Sequence, residues 1–247
     1  MPDIFQGSSR YFHISAFYAL SLPYYHMEHH THSSYEIMYI TSGSCRVFCL
    51  DGTQDTEFPL KSGQFIFIRP DVPHRLEIPD GFPCSILNLE FSLTPEKSPV
   101  ALELLLKKDP GFSWFWNFME ASQGFCSGAD SRSFGYSLKD LLTFLQQNSG
   151  QIQKEEFLFF LLFSRMLTEL AFCARSSRST QGIVYLKKTL RYIDEHYLED
   201  IDIPAISAYA GINKSYLQAL FTEKNGCTIN TYICLLYTSP SPRDSTS

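Results

Sequence analysis

Over its first ninety or so residues the chain repeats one pattern: a short run of β-branched and aromatic residues, closed by a turn signal. The runs are Glu36 to Ile40, Cys45 to Leu50, Gln64 to Ile68, Arg75 to Ile78 and Ser85 to Phe91. Ser42-Gly43, Asp51-Gly52, Lys61 to Gly63, Pro70 to Pro73 and Pro79 to Gly81 separate them. Short strands at this spacing fold into a small barrel or jelly roll, which leaves few open edges. Beyond Pro95 to Pro99 the period changes. Val100 to Lys107, Phe112 to Ala121, Ser137 to Gln147 and Glu155 to Ala174 read as helices. Phe157 to Phe163 is the strongest apolar run, but Arg165 and Glu169 interrupt its continuation, so it reads as a buried helix and not a membrane span.

A polar stretch, Arg175 to Gly182, marks a boundary. Beyond it Ile183, Leu186, Leu190, Ile193 and Tyr197 form one helical stripe. Next comes Ile201 to Phe221. Ile203, Ile206 and Ala210 recur at helical spacing, and Gly211 supplies the left-handed residue that ends a helix. Asn213 stands where a second helix needs an N-cap acceptor. Leu217, Leu220 and Phe221 give that helix a buried face. Asn213, Lys214, Ser215, Tyr216, Gln218 and Lys224 are its candidate DNA contacts. This is a helix-turn-helix pattern, although a plain helical hairpin has the same periodicity.

The barrel carries a histidine constellation. His30 and His32 are two residues apart, Glu36 follows, and His74 closes the Pro70 to His74 turn. Residues i and i+2 of a strand share a face, so these side chains can converge inside a barrel. Three imidazoles and a carboxylate suit a transition metal; equally, they can hydrogen-bond one another or line a ligand pocket. Tyr39 and Arg46 complete the set of pocket candidates. His26 and His29 fall outside the spacing and read as surface residues.

The spacing His30-x-His32-x3-Glu36-x6-Gly43 resembles the first motif of the cupin superfamily. The second motif is degraded: Arg69 and Asp71 stand where the superfamily often has Pro and Gly, and Ile78 where it has Asn. The resemblance therefore carries the barrel further than it carries a metal centre, and no cofactor is expected.

A cupin-like barrel, a helical connector and a helix-turn-helix in this order resemble the AraC family of transcriptional regulators, over about residues 24 to 233. Ile203, Ile206, Gly211, Ser215 to Leu217, Leu220, Phe221, Gly226 and Tyr232 fall on the family pattern. Ser207 departs from its small apolar position, and Thr222 and Glu223 stand where the family tends to be basic.

The expected architecture is α+β: a cupin-like barrel or jelly roll over 1–93, a helical connector over 94–176, a linker over 177–182 and a first helix-turn-helix unit over 183–234. Family members carry a second such unit. Residues 235–247 instead resemble vector-derived translation joined to a truncated frame, and are expected to be disordered and non-native.

Net charge weighs against tight DNA binding by this segment. The whole chain carries −6, and from residue 178 to 233 six basic residues (Arg178, Lys187, Lys188, Arg191, Lys214, Lys224) face six acidic ones (Asp194, Glu195, Glu199, Asp200, Asp202, Glu223). The seven cysteines lack paired metal spacing and no basic-then-apolar leader is seen, so a reduced cytoplasmic setting is expected. The resemblance implies a DNA-binding regulator, homodimeric through the helices of about 137 to 174, that responds to a small molecule such as a sugar. The rival is a metal-dependent cupin enzyme, a dioxygenase or isomerase, with His30, His32, Glu36 and His74 as ligands. It leaves Ile201 to Phe221 unexplained.

Overall fold

The computed structural model describes residues 9–51, 54–121, 124–148, 152–196, 201–212 and 214–238. Nine strands and seven α-helices are assigned among them. The strands are β1 (Tyr11–Leu22), β2 (Tyr25–His26), β3 (Tyr35–Ser42), β4 (Ser44–Asp51), β5 (Gln54–Lys61), β6 (Gln64–Ile68), β7 (His74–Ile78), β8 (Cys84–Thr94) and β9 (Phe125–Ala129). They form two antiparallel sheets, β1-β8-β3-β6-β9 and β2-β7-β4-β5. The chain divides into two compact units, Met1–Ser177 and Arg178–Ser247.

In the first unit the five-stranded sheet is buried on both faces. That is why β6, Gln64-Phe-Ile-Phe-Ile68, is apolar at nearly every position instead of alternating. Its inner face packs on the four-stranded sheet through Met38, Ile40, Val47, Cys49, Ile66, Ile68, Leu76, Ile78 and Ile86. Its outer face, with Phe12, Ile37, Phe65, Phe67, Leu89 and Phe91, is covered by helices. These are α1 (Leu102–Lys108), α2 (Pro110–Ala121), α3 (Phe134–Gln147) and the start of α4 (Glu156–His196). They contribute Phe112, Phe115, Trp116, Leu138, Phe163 and Leu167 to the same core. Each such side chain contributes about 1.5–3 kcal/mol when fully buried, so the helices are part of the fold and not a separate connector.

β1, β2, β5 and β9 are additions to the strands expected from sequence. β9 interrupts the stretch read as wholly helical and joins the edge of β6. Tight geometry marks the β3–β4 turn. Gly43 has φ +76°, and a Cβ there would lie 1.9 Å from the Pro83 carbonyl oxygen, so only glycine fits. Asp71, also left-handed at φ 62°, stands where the cupin pattern often has glycine. Asp tolerates this conformation better than most residues.

The stretch expected to be a linker is helical, because α4 runs through residues 175–182. By length and composition α4 could cross a membrane, but half of its apolar window is buried inside the protein. Phe159, Phe163, Met166, Leu167 and Leu170 of that helix belong to the core of the first unit.

In the second unit α5 (Ile203–Ala210), α6 (Lys214–Asn225) and α7 (Ile229–Thr238) follow the end of α4. Asp202 caps α5, its carboxylate accepting the Ala205 N–H at 2.7 Å. Pro204 sits in the first turn, where its missing N–H costs nothing, and Gly211 ends the helix at φ 75°. Ile193, Ile206, Leu217, Phe221 and Ile229 form the core, with Leu186 and Leu190 packed against it. Ile183 is exposed, so the α4 stripe begins at Leu186. The expected N-cap Asn213, the stripe residue Tyr197 and residues 239–247 lie outside the described residues. Residues 235–238, read as disordered tail, continue α7.

Candidate functional site

At one end of the sandwich the two sheets meet over a cluster of polar side chains. The backbone sets it up. His30, in the irregular segment after β2, exchanges both N–H···O bonds with His74 at 3.0 Å, and Asp71 N–H donates to His32 O at 2.9 Å. His30 and His32 therefore converge without lying on a regular strand. Their ring centroids are 5.7 Å apart, and the His74 ring lies 4.3 Å from His30 and 5.0 Å from His32. Glu36 comes from β3 and is only 4% exposed.

Hydrogen bonds fix the chemistry of these rings. A carbonyl oxygen only accepts, so His32 Nδ1–H donates to Ser34 O at 3.0 Å, and His74 Nδ1–H donates to Val72 O at 2.8 Å. Both Nε2 atoms then face one carboxylate oxygen, Glu36 Oε2, at 3.0 Å from His32 and 2.8 Å from His74. The His32 contact is a formed hydrogen bond, whereas the His74 Nε2 approach is close but out of line for one.

Burial pushes the Glu36 carboxyl up. The His32 hydrogen bond and the neighbouring imidazoles outweigh it and hold the group down, at about 2. In return, the Glu36 hydrogen bond raises His32. His30 is lowered, by burial first and then by His74.

These residues fit a divalent metal. Ligand atoms of His30, His32 and His74 all lie within 4.8 Å of one another. His30 Nδ1 and His74 Nε2 are buried without a hydrogen-bond partner among the described residues. The Nδ1–H bonds to backbone carbonyls are the outer support that metal-bound imidazoles usually have.

Three residues that the sequence reading missed extend the cluster along the inner face. Glu90 of β8 lies directly opposite Glu36, and Asn88 opposite Met38. Tyr18 of β1 lies opposite Asn88. Residues paired across an antiparallel ladder point to the same face. Asn88 is fully buried; its amide faces the Tyr18 hydroxyl, but neither amide atom makes a well-aligned hydrogen bond among the described residues. Burial, then Glu36, raises Glu90. Burial, then Glu36 and Glu90, raises the Tyr18 phenol.

Two expected pocket residues lie elsewhere. Tyr39 alternates to the outer face of the five-stranded sheet, where its ring packs on Phe134 and its hydroxyl donates to Asp130 at 3.2 Å. Arg46 projects from the outer face of the four-stranded sheet and pairs with Glu77 at 2.9 Å. His26 and His29 are surface residues, paired with Glu77 and Asp55.

In the second unit Lys214, Ser215, Gln218 and Lys224 are exposed on α6. Lys224 is paired with Glu223 at 2.9 Å. Tyr216 is half-buried against Tyr185, with the Arg178 guanidinium over its ring at 5.2 Å. It belongs to the packing of α6 on α4 and not to the free face.

Residues 13–162 match the AraC-like ligand binding domain. Among curated proteins, the uncharacterized HTH-type transcriptional regulator YbfI of Bacillus subtilis (strain 168) is 23% identical over 204 residues, 83% of this chain and 68% of that protein. Solved structures similar to parts of the chain include a cupin protein from Bacteroides fragilis, 23% identical over 30% of this chain and 62% of that one, with a TM-score of 0.26. They also include the Lactobacillus farciminis oxalate decarboxylase–formate complex, 23% identical over 45% of this chain and 32% of that one, with a TM-score of 0.28. The chain spans less than two thirds of either structure, and scores this low carry no argument about the site. With more than half of its residues in that match, and two antiparallel sheets closed over a polar cluster within it, the chain belongs to the family of the AraC-like ligand binding domain.

Proposed function

We propose that this chain is a ligand-responsive, sequence-specific DNA-binding regulator of transcription acting in the cytoplasm. The observation that carries the reading is a buried polar cluster inside a ligand-binding domain of regulator type. His30, His32, Glu36 and His74 line one end of the inner face, and Asn88 offers a buried amide there without a well-aligned hydrogen bond. A sugar-like effector suits such a surface. The effector acts by binding one conformation of the protein more tightly than another.

On the DNA side, α6 enters the major groove and α5 braces it. Lys214, Ser215 and Gln218 read base edges, and Lys224 contacts phosphate. Homodimer contacts fall on α3 and α4, where Tyr136, Phe157, Leu158 and Leu161 are exposed.

Selection of binding sites from a random DNA library by the purified protein tests this. A single enriched sequence is expected, with Gln218→Ala costing about 1–3 kcal/mol on that sequence alone. Lys224→Ala, by contrast, should weaken selected and random DNA together, as loss of a phosphate contact does. Absence of any enriched sequence would overturn the reading.

A second reading is favoured by the two buried imidazole nitrogens without partners. A divalent metal held by His30, His32 and His74 beside Glu36 would satisfy both, and when bound would supply Lewis acidity to a metal-dependent enzyme. Metal analysis after loading with manganese, iron or zinc and dialysis decides it. One retained equivalent, lost in His74→Ala, supports this second reading, whereas no retention removes it.

A further inference from the structure

The inner face carries an uneven charge. Glu36 is compensated by His32, whose Nε2–H donates to it at 3.0 Å. Glu90, directly opposite Glu36 on β8, has a carboxylate oxygen within 4.8 Å of the His32 ring nitrogen but forms no ion pair with a lysine or arginine among the described residues. The arginines of the sandwich are engaged elsewhere. Arg46 and Arg75 meet Glu77 on the outer face of the four-stranded sheet, and Arg69 donates to the Met119 carbonyl at 3.0 Å. One step along β8, Asn88 is fully buried, its amide faces the Tyr18 hydroxyl opposite, and no well-aligned hydrogen bond satisfies either amide atom among the described residues. A buried amide left unmade costs about 1–3 kcal/mol, so it calls for a molecule that accepts from one amide atom and donates to the other. A hydroxyl group does both. An anionic ligand would meet two carboxylates here, and the cation beside them, His32, is already engaged by Glu36.

We infer that the molecule held between the sheets is a polyol carrying a protonated amine, an amino sugar in chemical class. The amine sits on the Glu90 carboxylate and a neighbouring hydroxyl on the Asn88 amide. The inference rests on the reading of the inner face as an effector pocket, and narrows it from any sugar to a cationic one. Glu90 and Asn88 are its specificity determinants, with the Tyr18 hydroxyl as a third contact.

Three probes that share one ring skeleton and differ in charge test it: glucosamine, glucose and glucuronate. Each is titrated into the full chain by calorimetry near neutral pH, where the raised Glu90 carboxyl is ionised and the amine is still largely protonated. One charge-assisted hydrogen bond at a partly buried carboxylate gives an expected preference of roughly tenfold for glucosamine over glucose. Glucuronate should bind weakest.

Glu90→Gln should erase the preference and leave glucose binding in place. Asn88→Leu should weaken all three probes. It replaces a buried amide without a well-aligned hydrogen bond by an apolar group of similar volume, so thermal unfolding without ligand should stay level or rise, which separates lost binding from lost folding. Equal binding of glucose and glucosamine, tightest binding of glucuronate, or a preference that survives in Glu90→Gln would overturn the amine assignment and leave the effector pocket standing. Silence of all three probes would overturn the assignment and the sugar reading together.

Discussion

Glu36 is 4% exposed, and a carboxylate removed that far from water loses most of its hydration. It stays ionised because His32 and His74 replace the water, which lowers it from 4.5 to about 2. Such a displacement corresponds to about 3 kcal/mol of stability. The sign follows from the two directions. A lowered carboxyl contributes fully above its unfolded value and loses the contribution as pH falls from about 4.5 toward 2. A raised imidazole contributes below 6.5 and loses its share as pH rises through its folded value. The pair is therefore most stabilising in the mildly acidic window between. Urea unfolding at a series of pH values should show the wild type losing on the order of 3 kcal/mol between pH 5 and pH 2 that Glu36→Gln does not lose. Parallel curves for the two proteins would refute the assignment of this charge.

At the level of elements, two turns separate strain from collision. Gly43 and Gly63 both have φ near +80°, but a Cβ at Gly63 meets open space, whereas at Gly43 it meets backbone at 1.9 Å. Gly63→Ala should cost about 1 kcal/mol, the left-handed penalty alone. Gly43→Ala should cost clearly more, since the β3–β4 turn has to move off Pro83. Equal midpoints in denaturant would show that the turn yields freely.

On α6, the Lys224 charge is engaged by Glu223. If α6 meets DNA, Glu223→Gln should tighten non-specific binding and steepen the slope of log K against log salt by about 0.9, one further phosphate contact. Fluorescence anisotropy over a salt series measures this, and an unchanged slope would place Lys224 off the DNA.

The elements differ in how far the sequence reveals them. β3, β4, β6, β7 and β8 stand between clear turn signals and were readable. β5, Gln54–Lys61, is polar and holds Pro59, which an edge strand tolerates and a strand search discounts. β9, Phe125–Ala129, is short, with small residues after Phe125, and is a strand only because β6 offers it an edge. The histidines and Glu36 were readable because their spacing is local. Asn88 and Glu90 were not. Polar residues alternating with Leu87, Leu89 and Phe91 look like a solvent face, and only the register against β3 turns them inward. Tyr39 misled for the opposite reason: in a sheet buried on both faces, hydrophobicity does not say which side is the pocket.

For the molecule as a whole, the proposed association would cover Tyr136 on α3 and Phe157, Leu158 and Leu161 on α4, all of which are exposed. Sedimentation of the full chain should give a dimer, and Phe157→Glu combined with Leu161→Glu should give monomers with an unchanged circular dichroism spectrum. A dimer that persists in the double variant would assign the contact to another surface. The pairing of β9 with β6 bears on how the protein can be dissected. A fragment ending at residue 93 would leave the hydrogen-bonding edge of β6 open and strip the helices from Phe12, Phe65, Phe67 and Phe91. Such a fragment should precipitate or pair edge to edge before it ever meets a ligand. Swapping effector specificity between relatives will therefore succeed only if the graft carries the helices along with the sheets.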